Sequence, residues 1–134
     1  MLSGASDLKI EHVAIDVQDL EKARAFFLRY FDGASNEGYH NPKTGLRTYF
    51  ISFQGGTRLE LMARPDVKDR PRSLLERGYA HLAFSLGSRE AVDSLTRRLR
   101  EDGYRVISGP RTTGDGYYES CVEGVEGNLI ELTV

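Results

Sequence analysis

One pattern occurs twice in this chain: an apolar strand that opens around a histidine, answered much later by an apolar strand that carries a glutamate. The first copy reads Ile10-Glu11-His12-Val13-Ala14-Ile15-Asp16-Val17 and then Arg58-Leu59-Glu60-Leu61-Met62. The second reads Tyr79-Ala80-His81-Leu82-Ala83-Phe84-Ser85-Leu86 and then Asn128-Leu129-Ile130-Glu131-Leu132-Thr133-Val134. His12 and Glu60 are 48 residues apart, and His81 and Glu131 are 50 apart. A lone strand histidine is ordinarily a hydrogen-bonded structural residue, and a lone glutamate near a chain end is ordinarily solvated. Return of the same polar types at the same place in an apolar strand instead suggests a four-ligand metal site.

Each half follows one order of elements. In the first, Val13, Ile15 and Val17 alternate with His12, Ala14 and Asp16, the period of a strand with two unlike faces. Asp19 caps an expected helix through Phe31, with Leu20, Ala23, Phe27 and Tyr30/Phe31 at helical spacing and Gly33 as its stop. A polar stretch from Asn36 to Gly45, with room for a short edge strand, leads into a strand over Leu46 to Phe53. Gln54-Gly55-Gly56-Thr57 reads as a hairpin turn before the strand from Arg58 to Ala63. In the second half, Ser88 caps a helix through Ala91, Val92, Leu95 and Leu99 to Gly103. Strands are expected over Tyr104 to Ser108, over Tyr117 to Val122 and from Asn128 onward, with a polar loop from Gly109 to Gly116.

The reading is therefore an α+β fold of two tandem βαβββ modules within a single domain, 1–134. Module one spans about 8–64 and module two about 79–134. Between them lies a charged linker, about 65–78, with Pro65, Pro71 and a short helical piece. Strand alternation puts the apolar residues beside each histidine and glutamate under a helix, and all four ionisable residues on the other face. If the modules pair into one curved mixed sheet, that face becomes a metal-binding cup.

Composition removes other classes of function. The chain has 134 residues, 18 basic against 20 acidic, and no block of like charge, so no nucleic-acid surface or polybasic membrane patch is indicated. Apolar runs are strand-sized, shorter than the ~20 residues of a membrane span. The stretch Met1 to Asp7 has no basic-then-apolar leader, and the single cysteine, Cys121, fits a reducing compartment. A cytoplasmic protein is expected. Cys121 has no basic partner at a telling spacing and is not read as a nucleophile.

Two imidazoles and two carboxylates form a mixed nitrogen and oxygen set suited to Ni, Co, Zn, Mn or Fe as the divalent ion. Four protein ligands on an octahedral ion leave two positions for water or substrate, which is the arrangement of a catalytic site.

These residues resemble the vicinal oxygen chelate (glyoxalase, bleomycin resistance, dioxygenase) superfamily, and within it glyoxalase I (lactoylglutathione lyase). The resemblance runs over nearly the whole chain and is strongest at Gly78-Tyr79-Ala80-His81-Leu82-Ala83-Phe84 and Glu126-Gly127-Asn128-Leu129-Ile130-Glu131-Leu132. It implies His12, Glu60, His81 and Glu131 as metal ligands. It also implies lyase or isomerase chemistry on a small oxygen-chelating substrate through an enediolate, with Glu131 or Glu60 as the base. A homodimer is implied as well, since in several relatives the cup is built from two subunits. Metal-dependent epimerases, thiol transferases and non-catalytic drug-binding proteins share the fold. The epimerases usually carry an amide where Glu60 stands, the transferases use three ligands, and the binding proteins lack the ligands.

The pattern departs from glyoxalase I at two positions. Asp16 stands where an arginine commonly holds glutathione, and Arg64 where an asparagine commonly does. Both fall on the ligand face by parity and are expected to pair at the pocket rim, which weakens the case for a glutathione adduct. Met62, Ser85, Arg111 and Glu119 complete the expected substrate pocket. Arg111 is placed in a Gly109-Pro110 loop and Glu119 in a strand beside Glu131's. Arg47 and Arg111 are candidate anion clamps, and His40 is read as structural or exposed.

Overall fold

Alternation between apolar and polar residues lets each half fold one helix onto one face of a mixed sheet. The computed structural model describes residues 7–71, 73 and 75–134. The N-terminal stretch 1–6, where no leader is expected, and positions 72 and 74 of the linker lie outside the described residues. The chain divides into two compact units, Met1–Asp69 and Arg70–Val134.

In the first unit, β1 (His12–Asp16) leads to α1 (Leu20–Phe31), then to β2 (Ala34–Ser35), β3 (Tyr39–His40), β4 (Arg47–Ser52) and β5 (Arg58–Ala63). The sheet runs β1-β5-β4-β2, with β3 also on β4. β1 lies parallel to β5 and the other pairs are antiparallel. Asp19 caps α1 by accepting from Lys22 N–H at 3.0 Å. The residue that turns left-handed after α1 is Asp32 (φ 52°), not Gly33. Gly33 is needed for a different reason: a Cβ there would come within 2.5 Å of Ile51 Cγ2. The hairpin before β5 turns on Gly55 and Gly56, both at positive φ, as a tight turn between twisted strands requires. Val17, Leu20, Ala23, Phe26, Phe27, Ile51, Leu59 and Leu61 form the core between helix and sheet.

The second unit repeats the plan with β6 (His81–Ser85), α2 (Arg89–Glu101), β7 (Arg105–Thr112), β8 (Tyr118–Glu123), a short 3-10 turn (Val125–Gly127) and β9 (Leu129–Thr133). Its sheet runs β6-β9-β8-β7, with β6 parallel to β9. Ser88 caps α2 by accepting from Ala91 N–H at 3.1 Å. Val92 and Leu99 of α2 and, on the sheet beneath it, Val122, Ile130 and Leu132 are fully buried. The α+β plan of two βαβββ modules is thus the observed one, each module carrying its own mixed sheet.

Two expectations change. β7 does not stop at Ser108 but continues through Gly109-Pro110 to Thr112. Its register against β8 slips by one residue between Ser108 and Arg111, so the proline, which has no N–H to give, sits in a bulge rather than ending the strand. No helical piece forms among the described residues of the linker. Pro65 and Pro71 remove donors there, the charged residues offer no apolar face, and Val67 N–H to Arg64 C=O closes only a turn. Among the described residues, no helix is long and apolar enough to cross a membrane.

Candidate functional site

Register places the ligand candidates. In unit one, Ala14 lies opposite Glu60 and His12 opposite Arg58; in unit two, Ala83 lies opposite Glu131 and His81 opposite Leu129. Each histidine is therefore one diagonal step from its glutamate on the same face, the same step in both units. Leu59, Leu61, Ile130 and Leu132 on the reverse face are buried, which locks that register, because a slip of one residue would exchange the faces.

The pairs form. His81 Nε2 lies 3.2 Å from Glu131 Oε2, and His12 Nε2 lies 3.8 Å from Glu60 Oε1. The glutamate side chains keep only 17 % (Glu60) and 23 % (Glu131) of their exposure, so each carboxylate calls for a nearby cation or proton. Within each unit, among the described residues, the candidates come as a pair and not as a larger metal-ready group. Two donors each about 2.1 Å from one ion and at right angles to each other lie about 3 Å apart. The His81–Glu131 pair is near that spacing and the His12–Glu60 pair is wider. An imidazole nitrogen beside a carboxylate oxygen, presented twice, is chemically the right donor set for a borderline divalent ion.

The surroundings of the two pairs differ. In unit one, Glu11 accepts from His12 Nδ1 at 2.9 Å and takes two bonds from Arg58, from Nε at 3.1 Å and from Nη2 at 2.6 Å. Those bonds, Arg58's first and His12's second, hold the Glu11 carboxyl down at about 2. Arg58 lies over the Phe50 ring at 4.0 Å, and His12 meets that ring edge-on at 5.3 Å between centroids. In unit two, Glu119 is hydrogen-bonded to Glu131. That bond, together with burial and Glu131's charge, pushes its carboxyl up to about 7, so Glu119 donates and Glu131 accepts. Cys121 lies directly opposite Glu131, and burial followed by the two carboxylates pushes its thiol up, which keeps it from being a nucleophile.

The expected pocket residues fall into two groups. Asp16 and Arg64 make the expected ion pair at 3.3 Å, with Met62 opposite Asp16 in the sheet. Ser85 lies opposite Thr133 at the end of β6. Arg111 stands on β7 and not in a loop, opposite Glu119, where its charge opposes the upward push on that carboxyl. Arg47 belongs to the other face of its sheet: it points to α1 and pairs with Glu21 at 3.7 Å, so it is no clamp for the ligand face. His40 is exposed on β3, opposite Arg47.

A family model for the Glyoxalase/Bleomycin resistance protein/Dioxygenase superfamily matches residues 9–132. The chain belongs to this superfamily. Bacillus subtilis YwkD, itself uncharacterised, is 30% identical over 94 residues, 70% of this chain and 71% of that protein. The mitochondrial methylmalonyl-CoA epimerase of Bos taurus is 29% identical over 105 residues, 75% of this chain and 57% of the epimerase. Two solved structures share the fold. Leishmania major glyoxalase I has a TM-score of 0.75 at 20% identity, over 93% of this chain and 85% of that one. The Listeria monocytogenes fosfomycin resistance protein FosX has a TM-score of 0.70 at 24% identity, over 94% and 91%.

Within this superfamily domain, the features that sequence reasoning missed are the supports of the pairs. The sequence pattern assigns no role to Glu11, Arg58 or Phe50, or to the placement of Cys121 opposite Glu131. Arg58 shares a strand face with Glu60, which was a usable signal. Glu11 gave none, because strand alternation would turn it away from its neighbour His12, and only its place just before β1 lets it fold back.

Proposed function

We propose that this chain is a divalent-metal-dependent lyase or isomerase of the glyoxalase I type, acting on a small substrate with adjacent oxygens. The observation that carries this reading is the repeated register that sets one imidazole beside one partly buried carboxylate in each module. In this reading His12, Glu60, His81 and Glu131 hold one Ni, Co, Zn, Mn or Fe ion. The two pairs are supplied by the modules of one chain or of two chains in a homodimer. When bound, the ion supplies Lewis acidity that stabilises negative charge on the substrate's oxygens.

The chain's own residues do the rest. Glu60 or Glu131 takes the carbon-bound proton as general base. Glu119, hydrogen-bonded to Glu131 and with its carboxyl pushed up by that bond, burial and Glu131's charge, holds that carboxylate in place. Asp16 and Arg64, already neutralising each other, leave no free cation of their own for a glutathione carboxylate, which favours a different oxygen-chelating compound.

A second reading is an epimerase acting on an acyl thioester. The Bos taurus relative favours it, and the chemistry is close: one carboxylate removes the proton beside a carbonyl and a second group, already protonated, delivers its own proton to the opposite face. Glu60, a carboxylate where the epimerases usually have an amide, favours the lyase. The four retained ligand candidates weigh against a thiol transferase and against a drug-binding protein without chemistry.

The test is elemental analysis of protein purified without an affinity tag, repeated on His81→Ala and Glu131→Ala. It is followed by assays on 2-oxoaldehyde adducts and acyl thioesters. About one ion per chain, lost in both variants, with turnover of an adduct, is the expected result. A chain that carries no metal and takes up none of the five ions would sink the reading.

A further inference from the structure

We infer that Glu11 is a positioning residue for His12, holding the imidazole by its Nδ1–H so that the Nε2 lone pair is presented to the ligand face. The inference rests on the proposed role of His12 as a ligand. A carboxylate has no proton to give, so the 2.9 Å contact between Glu11 and His12 Nδ1 requires the ring nitrogen to be the donor. A neutral imidazole with its proton on Nδ1 has its lone pair on Nε2, the atom that faces Glu60 at 3.8 Å.

Glu11 cannot swing away without losing more than this bond. Arg58 grips both of its oxygens, and the guanidinium itself is pinned over Phe50 at 4.0 Å. The same ring backs the imidazole edge-on at 86°. Backbone adds a further tie, Arg58 N–H to Glu11 C=O at 2.9 Å. Four side chains, Glu11, His12, Phe50 and Arg58, thus form one closed cluster around the orientation of a single ring.

Module two has no such device. By the matched registers, Ala80 stands where Glu11 does, Leu129 where Arg58 does, and Cys121 where Phe50 does. None of these can accept from His81 Nδ1 in the same way. The two histidines are therefore unequal: His12 is set before any ion arrives, and His81 takes its orientation from Glu131 at 3.2 Å. A carboxylate behind a ligating imidazole fixes its tautomer and raises its donor strength, and losing it costs about 10–100-fold in metal affinity.

The decisive measurement is the ring-nitrogen NMR of His12 in the intact, metal-free protein at about pH 8, where a free imidazole is neutral. Metal affinity by chelator competition is read alongside it. The wild-type chain is expected to show His12 neutral with its proton on Nδ1. Glu11→Ala is expected to release that tautomer and weaken metal binding by about tenfold or more. Glu11→Gln, which keeps an oxygen to accept the Nδ1–H, should restore the tautomer and part of the affinity. A wild-type His12 with its proton on Nε2, or on both nitrogens, overturns the inference. So does a Glu11→Ala variant that binds metal as tightly as wild type. A wild-type protein that binds no metal defeats the ligand reading itself and this inference with it, whereas metal binding unaffected by Glu11 defeats this inference alone.

Discussion

Modules one and two share a register and differ in almost everything that surrounds it. Aligned on their caps, Asp19 and Ser88, the helices set Phe27 of α1 against Thr96 of α2. Phe27 is fully buried and belongs to an aromatic cluster, with Phe26 at 5.1 Å edge-on and Phe31 at 6.0 Å. Thr96 is as deeply buried but polar. Its hydroxyl donates to Val92 C=O at 2.6 Å and so must accept from Ser120 at 2.7 Å. On the ligand face, Phe50 and the Glu11–Arg58 pair stand in module one, where Cys121 and Glu119 stand in module two. The constant part is the pairing of the parallel strand with its neighbour, which puts imidazole and carboxylate together. Either face can be filled by different chemistry as long as that pairing survives.

The largest test of the comparison is at the carboxylates. Glu131 already accepts from Glu119 and faces His81, whereas Glu60 faces His12 at a longer distance, so under the proposed function Glu60 is the expected base. Glu60→Gln is expected to lower kcat by about 10²–10⁴-fold on metal-loaded protein. Glu131→Gln is expected to raise the metal Kd with a smaller fall in kcat. Steady-state kinetics with a metal titration decides, and a larger kcat loss at Glu131 would reverse the assignment.

Next in size is the aromatic core. Phe27→Ala should cost about 3–5 kcal/mol in denaturant unfolding, since its neighbours cannot fill the hole. Thr96→Val, at the matching place, should cost about 1–3 kcal/mol by leaving the Ser120 hydroxyl without a partner, and Thr96→Val with Ser120→Ala should recover most of the loss. If the double variant is no better than the single, the two helices differ in packing and not in hydrogen bonding.

The smallest effect concerns pH. Glu119 holds its proton up to about 7 in the folded chain, against 4.5 for the ordinary group. The folded form therefore binds the proton more tightly than the unfolded form. That contribution is fully present below 4.5 and is lost as pH rises through 7. In chelator-treated protein, Glu119→Gln should raise Tm by a few degrees at pH 8 and leave it nearly unchanged at pH 4. Thermal melts at the two pH values check this, and equal shifts at both would show that the Glu119–Glu131 bond does not carry the proton.

Much of this architecture is legible in the sequence because it rests on short-range rules. The caps Asp19 and Ser88, the Gly55-Gly56 turn and the alternation around His12, Glu60, His81 and Glu131 each act over a few residues. What escaped notice depends on neighbours that are distant in the chain. β7 reads as ending at Gly109-Pro110, because nothing local says that the strand will carry an extra residue as a bulge against β8. β2 is two residues long and exists only because β4 offers it an edge, whereas β3 falls where a short edge strand is expected. Gly33 looks like a helix stop, yet its lack of a side chain serves Ile51, many positions downstream. Glu11 and Arg58 are 47 residues apart, and no spacing rule joins them.

The parallel pairings have a consequence for when the donor pairs come into being. β1 meets β5, and β6 meets β9, only after a helix and the intervening strands have been accommodated, so each is the most distant strand pairing its module makes along the chain. Closing so long a loop carries the largest entropic cost of any step in the module and ranks it among the slow events of folding. A chain caught part-way presents two lone imidazoles and two lone carboxylates, none of them beside its partner. The presence of the assembled pair is thereby itself a report that the module around it has finished folding.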